Sequence, residues 1–205
     1  MSQRSPVAGI VLAAGRSTRL GRPKQLLPLA GRPLLGHTVD AALGARLSEV
    51  IVVLGCEAEA ISATLDVRSA RIVVNPRFAD GQSTSLIAGL NAVAPDAAGA
   101  MFLLGDQPQI GSALLDALID AFARSNAPIV APLYGGIMGN PVLFDRAMFP
   151  ALTALTGDEG ARSIVRADPG AVLRVPVGDG PPPRDVDTEA DYQALLAAWP
   201  AGAAR

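Results

Sequence analysis

The chain alternates short, continuous apolar runs with longer stretches spaced like amphipathic helices, and this alternation is the strongest constraint on its fold. Uninterrupted apolar runs are typical of strands that helices cover on both faces, whereas half-exposed strands alternate polar and apolar residues. The predicted strands are 7–13, 50–55, 71–74, 100–105, 128–132, 140–144 and 171–177. The predicted helices are 33–45, 57–65, 83–93, 112–124, 146–155, 159–167 and 188–199, the last with Thr188 as its N-cap.

This order of elements predicts an α/β fold of three layers, Rossmann-like, around a mostly parallel, mixed central sheet. No stretch resembles a linker, so we expect residues 1–205 to form a single domain. In open sheets of this kind, ligands bind at the carboxyl ends of the strands. The polar clusters of this chain follow predicted strands, so we expect them to meet at that edge.

Composition limits the classes of function that the chain can have. Basic residues number 17 and acidic residues 19, so a general nucleic-acid or membrane-surface role has no electrostatic support. Cys56 is the only cysteine, which excludes a disulfide framework and a cysteine-rich metal site and fits a cytoplasmic location. The apolar stretch 7–14 is too short to span a bilayer and is predicted to be a strand rather than a targeting segment.

The loop after the first strand contains two glycines, four cations and a serine, namely Gly15, Arg16, Ser17, Arg19, Gly21, Arg22 and Lys24. It matches neither the G-x-x-x-x-G-K-[ST] loop nor the G-x-G-x-x-G fingerprint. Gly15 lets backbone N–H groups approach a phosphate closely, and Ser17 adds a hydroxyl donor. Arg19 and Lys24 can neutralise a polyphosphate, whereas Arg16 and Arg22 are expected to have lesser roles.

Two further segments place carboxylates after strands. Asp106 ends the apolar run 100–105, where a buried carboxylate is costly unless it meets a cation, so it is a candidate Mg²⁺ ligand. A strand-end hydrogen bond or a helix cap is the structural alternative. Asp187, with Asp185 as the weaker candidate, supplies a second carboxylate, although Asp187 could instead cap the last helix.

A polar segment also precedes the helix predicted over 83–93. Gly81, the first N–H groups of the helix, Ser83 and Ser85 together predict a clamp for a polar or anionic ligand. Ordinary helix capping is the alternative.

The segment 12–35, "LAAGRSTRLGRPKQLLPLAGRPLL", resembles the signature L-A-A-G-x-[ST]-x-R-[LM]-G-x-x-K of nucleotidyltransferases with a Rossmann-like fold. "GDQP" at 105–108 is similar to the metal-binding strand end of that family. "NPRFADG" at 75–81, "GGIMGNPVLF" at 135–144 and "GDEGAR" at 157–162 resemble the molybdenum cofactor cytidylyltransferases in particular. Guanylyl-transferring relatives usually carry L-A-G-G where this chain has L-A-A-G.

The resemblance implies a nucleotide-binding first half, an acceptor-binding second half and a set of site residues. For catalysis it implies Arg19, Lys24 and Asp106, and for the metal Asp106 and Asp187. The implied nucleotide contacts are Leu12, Ala13, Ala14, Gly15, Arg16, Ser17, Lys24, Gly81, Ser85 and Asp106. The implied acceptor contacts are Gly139, Asn140, Pro141, Asp158 and Arg162, the last of which could equally be a surface arginine.

The implied reaction transfers a cytidylyl group from CTP to the phosphate of molybdopterin with Mg²⁺ or Mn²⁺ and releases pyrophosphate. A molybdoenzyme or its chaperone is the implied protein partner. No general base is evident, which favours a phosphate acceptor because a phosphate monoester has a second pKa near about 6. Two alternatives stay open: a guanylyltransferase or sugar-phosphate nucleotidyltransferase of the same fold, and a non-catalytic module that delivers cofactor.

Two reactive side chains are predicted to be structural. His37 is the sole histidine and lies within a predicted helix with no partner for a catalytic dyad. Cys56 follows a strand and has no activating neighbour in sequence.

Overall fold

The computed structural model describes residues 6–65 and 69–200, and over these residues it confirms the predicted α/β fold. Residues 1–5, 66–68 and 201–205 of the predicted domain lie outside the described part. The strands are β1 Val7–Ala13, β2 Pro28–Leu29, β3 Arg32–Pro33, β4 Glu49–Leu54, β5 Arg71–Val74, β6 Gly99–Leu104, β7 Ile129–Tyr134, β8 Ile137–Met138, β9 Val142–Asp145 and β10 Val172–Gly178. The α-helices are α1 Leu34–Leu43, α2 Ala58–Thr64, α3 Gln82–Asn91, α4 Ser112–Arg124, α5 Phe149–Thr153, α6 Arg162–Ala167 and α7 Glu189–Ala198.

The central sheet is mostly parallel and mixed, as predicted. Its strand order is β10-β7-β9-β6-β1-β4-β5, with β8 paired to β7. β1 runs parallel to β4 and β6, and β10 parallel to β7, whereas β9 lies antiparallel between β6 and β7. The carboxyl ends of β1 and β6 are therefore adjacent, which brings the first loop next to the residue that follows β6.

Helices cover both faces of the sheet, which accounts for the continuous apolar strands. On β1, Val11 points to a core cluster that includes residues of α1, α2 and α4. Ile10, its neighbour, points to a second cluster that includes residues of α3, α5 and α6. Successive side chains of a strand face opposite sides, so both must be apolar when both sides are covered.

The structure differs from the prediction in a few short elements. The hairpin β2–β3 and the short strand β8 were not predicted. The helix predicted over 146–155 is a 3-10 turn at 146–148, capped by the Asp145 side chain, followed by α5. The helix predicted over 159–167 begins at Arg162.

The segment 179–187 carries the chain from the edge strand β10 back to the end of β6. Val186 donates its backbone N–H to the Asp106 carbonyl oxygen at 3.2 Å. The Gln107 side chain donates to Asp185 Oδ1 at 2.8 Å and to the Pro183 carbonyl oxygen at 3.2 Å. This crossing places the carboxylates of the 185–187 region beside the residue that ends β6.

Helix α7 then fixes the crossing segment in place. Tyr192 and Leu195 of α7 pack in a third apolar cluster with Leu27, Leu29 and Leu34. Thr188 caps α7 as predicted, in a capping box in which its hydroxyl accepts from the Asp191 backbone N–H. Within the described residues, no helix is long and apolar enough to cross a membrane.

Candidate active site

Lys24 lies between two carboxylates at the carboxyl edge of the sheet. Its Nζ is 2.5 Å from Asp106 Oδ2 and 2.8 Å from Asp187 Oδ1. Arg19 Nη2 is 2.8 Å from the other oxygen of Asp187, Oδ2. The structure therefore joins the predicted catalytic and metal residues into one charged cluster, Lys24, Asp106, Asp187 and Arg19.

Burial and charge shift the pKa values of this cluster in different directions. Burial raises the pKa of Asp106 above its usual value, against the attraction of the Lys24 ammonium. Burial alone would lower the pKa of Lys24, but Asp106 and Asp187 outweigh it and the pKa of Lys24 is raised. For Asp187, burial acts to raise the pKa, yet the hydrogen bonds and charges of Lys24 and Arg19 outweigh it and the pKa is lowered.

The donor set of this cluster fits a divalent cation. Asp106 Oδ1 is buried and has no hydrogen-bond partner among the described residues, although its other oxygen binds Lys24. Within 6–65 and 69–200, no three His, Cys, Asp or Glu side chains form a ready-made metal site. Mg²⁺ is often held by one or two carboxylates together with substrate phosphates, so Asp106 and Asp187 could hold one when a nucleotide supplies the remaining oxygens.

The loop that follows β1 is braced by its own side chains. Ser17 adopts a φ of +52° and its hydroxyl accepts from the Lys24 backbone N–H at 3.1 Å. A hydroxyl that accepts in this way can still donate its hydrogen to a ligand. Gln25, which is 3% exposed, donates from Nε2 to the carbonyl oxygens of Ala13 and Gly15 at 2.8 and 3.1 Å.

The two remaining cations of the loop have separate surroundings. Arg22 Nη2 is 2.8 Å from Glu189 Oε2, and its guanidinium lies over the Tyr192 ring, so it ties the loop to α7. Arg16 lies over the Phe78 ring, with 5.4 Å between the guanidinium carbon and the ring centroid.

A cavity of about 450 Å³ opens between this loop, α3 and the end of β6. All predicted nucleotide-contacting residues except Ser17 line it, together with Arg19, Asp185 and Asp187. The structure thus brings the predicted nucleotide residues to one cleft. We call it the nucleotide cavity.

The start of α3 differs from the predicted clamp. The backbone N–H and the hydroxyl of Ser83 both donate to the Gly157 carbonyl oxygen, at 3.1 and 2.8 Å. Ser83 therefore joins α3 to the 157 loop, and both of its hydrogen-bond donors are used there. Gly81 has a φ of +118°, and a Cβ there would lie 2.2 Å from Gly157 backbone atoms, so the two loops meet backbone to backbone.

Ser85 remains on the nucleotide cavity and is positioned by a residue that was not predicted. Asn75, which is 4% exposed, donates from Nδ2 to Thr84 Oγ1 and Ser85 Oγ, each at 2.9 Å. Asn75, Gln25 and Gln107 are the positioning residues that the motif analysis missed. Each is a buried amide that lies inside a quoted motif segment, namely 12–35, 75–81 or 105–108, and this position was the available sequence signal.

The predicted acceptor residues lie around two further cavities. One of about 380 Å³, the middle cavity, shares Asp158 and Asp185 with the nucleotide cavity and is also lined by Asn140 and Arg162. A third of about 330 Å³, the distal cavity, is lined by Gly139, Asn140 and Arg162. Pro141 is buried and carries no polar side-chain atom, so it can position Asn140 but cannot hydrogen-bond a ligand through its side chain.

The two residues predicted to be structural, His37 and Cys56, form no described contact with the charged cluster. His37 Nε2 is 2.8 Å from the Leu29 carbonyl oxygen, and its ring meets that of Trp199 edge-on at 5.0 Å between centroids. Cys56 is a half-buried free thiol that lines a small cavity of about 100 Å³ behind the loop.

Comparison with known proteins identifies relatives that match most of the chain. The family model for the MobA-like NTP transferase domain matches residues 9–172. Nicotine blue oxidoreductase of Paenarthrobacter nicotinovorans is 33% identical over 93% of this chain and 96% of its own length. Purine catabolism protein PucB of Bacillus subtilis strain 168 is also 33% identical, over 94% of this chain and 97% of its own length.

A solved structure of a manganese complex has the same fold. Rv0371c of Mycobacterium tuberculosis H37Rv, in complex with manganese, is 36% identical, has a TM-score of 0.84 and covers 95% of this chain and 100% of its own. The family model and the relatives, which match over nearly their full length, together assign the chain to a family. It belongs to the MobA-like NTP transferase family, whose members are nucleotidyltransferases.

Proposed function

We propose that the protein transfers a cytidylyl group from CTP to the phosphate of molybdopterin in a divalent-metal-dependent reaction. One observation carries the proposal: Asp106 and Asp187 converge on Lys24 inside the nucleotide cavity, and this cavity shares Asp158 and Asp185 with the middle cavity. The nucleotide and the acceptor would thus meet at a carboxylate pair. The base and the acceptor are supported by the resemblance of the L-A-A-G, G-N-P and G-D-E-G-A-R segments.

In this reaction a phosphate oxygen of the acceptor forms a bond to the α-phosphorus of CTP while the bond from that phosphorus to the pyrophosphate oxygen breaks. When bound, Mg²⁺ or Mn²⁺ held by Asp106 and Asp187 would neutralise charge on the phosphates. Arg19 and Lys24 would hold the charge of the leaving pyrophosphate.

The chain's own side chains supply positioning and charge rather than proton transfer. The sole histidine, His37, is bound to the Leu29 carbonyl oxygen and gives no general base. None is needed if the nucleophile is a phosphate monoester, because with a second pKa near about 6 it is largely ionised at neutral pH. Catalysis by alignment and electrostatic stabilisation is the usual mode for such phosphoryl transfers.

The test is turnover with purified protein, molybdopterin, Mg²⁺ and each of the four nucleoside triphosphates in turn. We expect pyrophosphate release with CTP and a product whose mass equals the cytosine dinucleotide form of the acceptor. Equal turnover with GTP or UTP would refute the base assignment. Turnover only with a sugar 1-phosphate would refute the acceptor.

Two controls separate other functions. Since one relative is named an oxidoreductase, oxidation of NADH and NADPH is measured with the same protein, and nicotinamide-dependent turnover without pyrophosphate release would contradict nucleotidyl transfer. For a non-catalytic delivery module, Asp106→Asn should keep the protein's cellular role. For an enzyme, that variant should lose it.

A further inference from the structure

We propose that Arg166, together with Arg162 and Asn140, binds a second anionic group of the acceptor, remote from the phosphate that reacts. The identification of the occupant as the acceptor rests on the proposed function. Arg166 was not identified as a site residue from the sequence. The site itself is the distal cavity. Its ligand class is a compact anion.

The charge of the distal cavity differs from that of its neighbours. Arg162 and Arg166 are the only charged side chains that line it within the described residues. Most of its remaining wall is apolar and includes Met138, Val142 and Val165. Carboxylates line the nucleotide cavity and the middle cavity but not this one, so a negatively charged group meets no carboxylate here.

The two arginines share one face of α6. They are four positions apart, and residues at that spacing are neighbours on a helix surface. Neither forms an ion pair within the part of the chain that the structure describes. The carboxylates Asp158, Glu159 and Asp185 line the middle cavity with them but form no ion pair with either arginine. Two adjacent like charges repel each other, and an anion bound between them would relieve that repulsion.

Asn140 gives the second, independent observation. It lines the distal cavity, is 8% exposed, and its Nδ2 has no hydrogen-bond partner among the described residues. Its backbone is held in place, because Tyr134 Oη donates to the Asn140 carbonyl oxygen at 3.2 Å. A buried amide donor without a partner is costly, and a ligand acceptor atom would satisfy it.

The order of the cavities defines the class of acceptor. Asp106 and Asp187 line the nucleotide cavity, and the middle cavity links it to the distal one through shared Asn140, Arg162 and Arg166. Apolar residues such as Leu86 and Phe102 line the middle cavity. Because Asp158, Glu159 and Asp185 also line the middle cavity, the acceptor that fits is an elongated phosphate monoester whose middle carries no negative charge and whose far end carries a second anionic group.

The test measures anion binding without acceptor or turnover. Radiolabelled inorganic sulfate is the probe, in equilibrium dialysis with protein saturated by Mg²⁺ and by the nucleotide that it binds most tightly. The variants are Arg166→Gln and Arg166→Lys. The matched control is Arg174→Gln, on the exposed side of β10, where the guanidinium contacts only the Pro169 carbonyl oxygen among the contacts described.

We expect the nucleotide-saturated wild type to bind sulfate and Arg166→Gln to bind it at least about tenfold more weakly, a typical loss for one charge-assisted hydrogen bond. Arg166→Lys should fall between them, because lysine keeps the charge but not the forked geometry. Arg174→Gln should match the wild type. Unchanged nucleotide affinity in each variant shows that the fold is intact.

Two results would overturn the proposal: sulfate binding by Arg166→Gln equal to that of the wild type, or complete displacement of sulfate from the wild type by nucleotide. The second result would assign the sulfate to the triphosphate site. Failure of the proposed function is scored separately, as absence of pyrophosphate release with molybdopterin. Sulfate binding at Arg166 with no such release would keep the anion site and reject molybdopterin as its occupant.

Discussion

The nucleotide side and the acceptor side of the cleft differ in how their charges are balanced. On the nucleotide side, Lys24 and Arg19 are paired with Asp106 and Asp187, so the cations and carboxylates hold one another in place. On the acceptor side, Arg162 and Arg166 form no ion pair within the described residues. The first region is organised by its own ion pairs, whereas the second depends on a ligand to balance its charge.

This difference has a chemical consequence. A phosphate or a metal that enters the nucleotide cavity must displace existing ion pairs, because the Lys24 ammonium lies between the carboxylates that would hold the metal. An anion that enters the distal cavity displaces no ion pair among the described residues. The predictions below test the paired side, its contact with the 157 loop and the helix that follows Asp187, from the largest expected effect to the smallest.

Asp106→Asn should have the largest effect. The amide keeps the shape but removes the carboxylate that Lys24 contacts at 2.5 Å and that we propose as a metal ligand. We expect the transfer rate to fall about 10²–10³-fold, the usual loss on removing one electrostatic group from an active site. Pyrophosphate release measures it, with Asp120→Asn, in an exposed ion pair with Arg46, as control. A fall of less than about tenfold would contradict the role of Asp106.

Gly81→Ala should destabilise the contact between the two sides of the cleft. The new Cβ would meet Gly157 backbone at 2.2 Å, and the φ of +118° is unfavourable for alanine. We expect unfolding free energy to fall by about 3 kcal/mol. Urea denaturation measures it against Gly180→Ala, where a Cβ meets nothing within 4 Å. Equal stability of the two variants would show that the 157 loop moves away from the new Cβ without cost, which would contradict the prediction.

Lys24→Met should change metal binding and nucleotide binding in opposite directions. Without nucleotide, removal of the ammonium leaves Asp106 without its cation and Asp187 paired only with Arg19, so we expect Mn²⁺ affinity to rise about tenfold, or about 1.4 kcal/mol. CTP affinity should fall, because a phosphate contact is lost. Electron paramagnetic resonance of free Mn²⁺ reports the first effect. Arg22→Met, which loses only its contacts with α7, is the control, and an unchanged Mn²⁺ affinity of Lys24→Met would refute the competition.

Asp191→Asn should have the smallest effect. It should lower the stability of the folded state at neutral pH but not in acid. The hydrogen bonds from Thr188 hold the pKa of Asp191 below its usual value. A lowered pKa means that ionised Asp191 stabilises the folded state above the unfolded pKa of 3.8, and that this contribution is lost as the pH falls through the folded pKa. We expect a loss of about 1 kcal/mol or less at neutral pH, typical of a capping group.

Thermal unfolding of the wild type and Asp191→Asn between pH 7 and pH 3 checks this sign. The difference in stability between the two proteins should shrink as the pH decreases. A difference that grows towards acid would contradict it.

Much of the fold and part of the site could be predicted because they are local properties of the chain. Continuous apolar runs identify strands covered on both faces wherever they occur, and the cap of α7 at Thr188 depends on residues within one helical turn. The glycine-rich loop is likewise a single segment, so its predicted nucleotide contacts, Ser17 apart, line one cavity.

The errors occurred where contacts come from distant parts of the chain. Ser83 was predicted to bind a ligand, yet its hydroxyl donates to Gly157, which is 74 positions away. The buried amides that brace the site were missed for a related reason: an amide side chain has no characteristic spacing, and only its surroundings show what it binds.

The amino-acid sequence by itself determined the main strands and helices, the layer order and the candidate phosphate loop, because hydrophobic period and turn chemistry are encoded within short segments. Only the tertiary structure decided the partners of the charges. Lys24 and Asp187 are separated by 163 positions and meet because segment 179–187 crosses back to the end of β6. Arg166 shares a cavity with Asn140 because α6 packs against the face of the sheet to which β9 contributes Val142 and Phe144. Charges act through space, so their pairing depends on the path of the whole chain and not on their order along it.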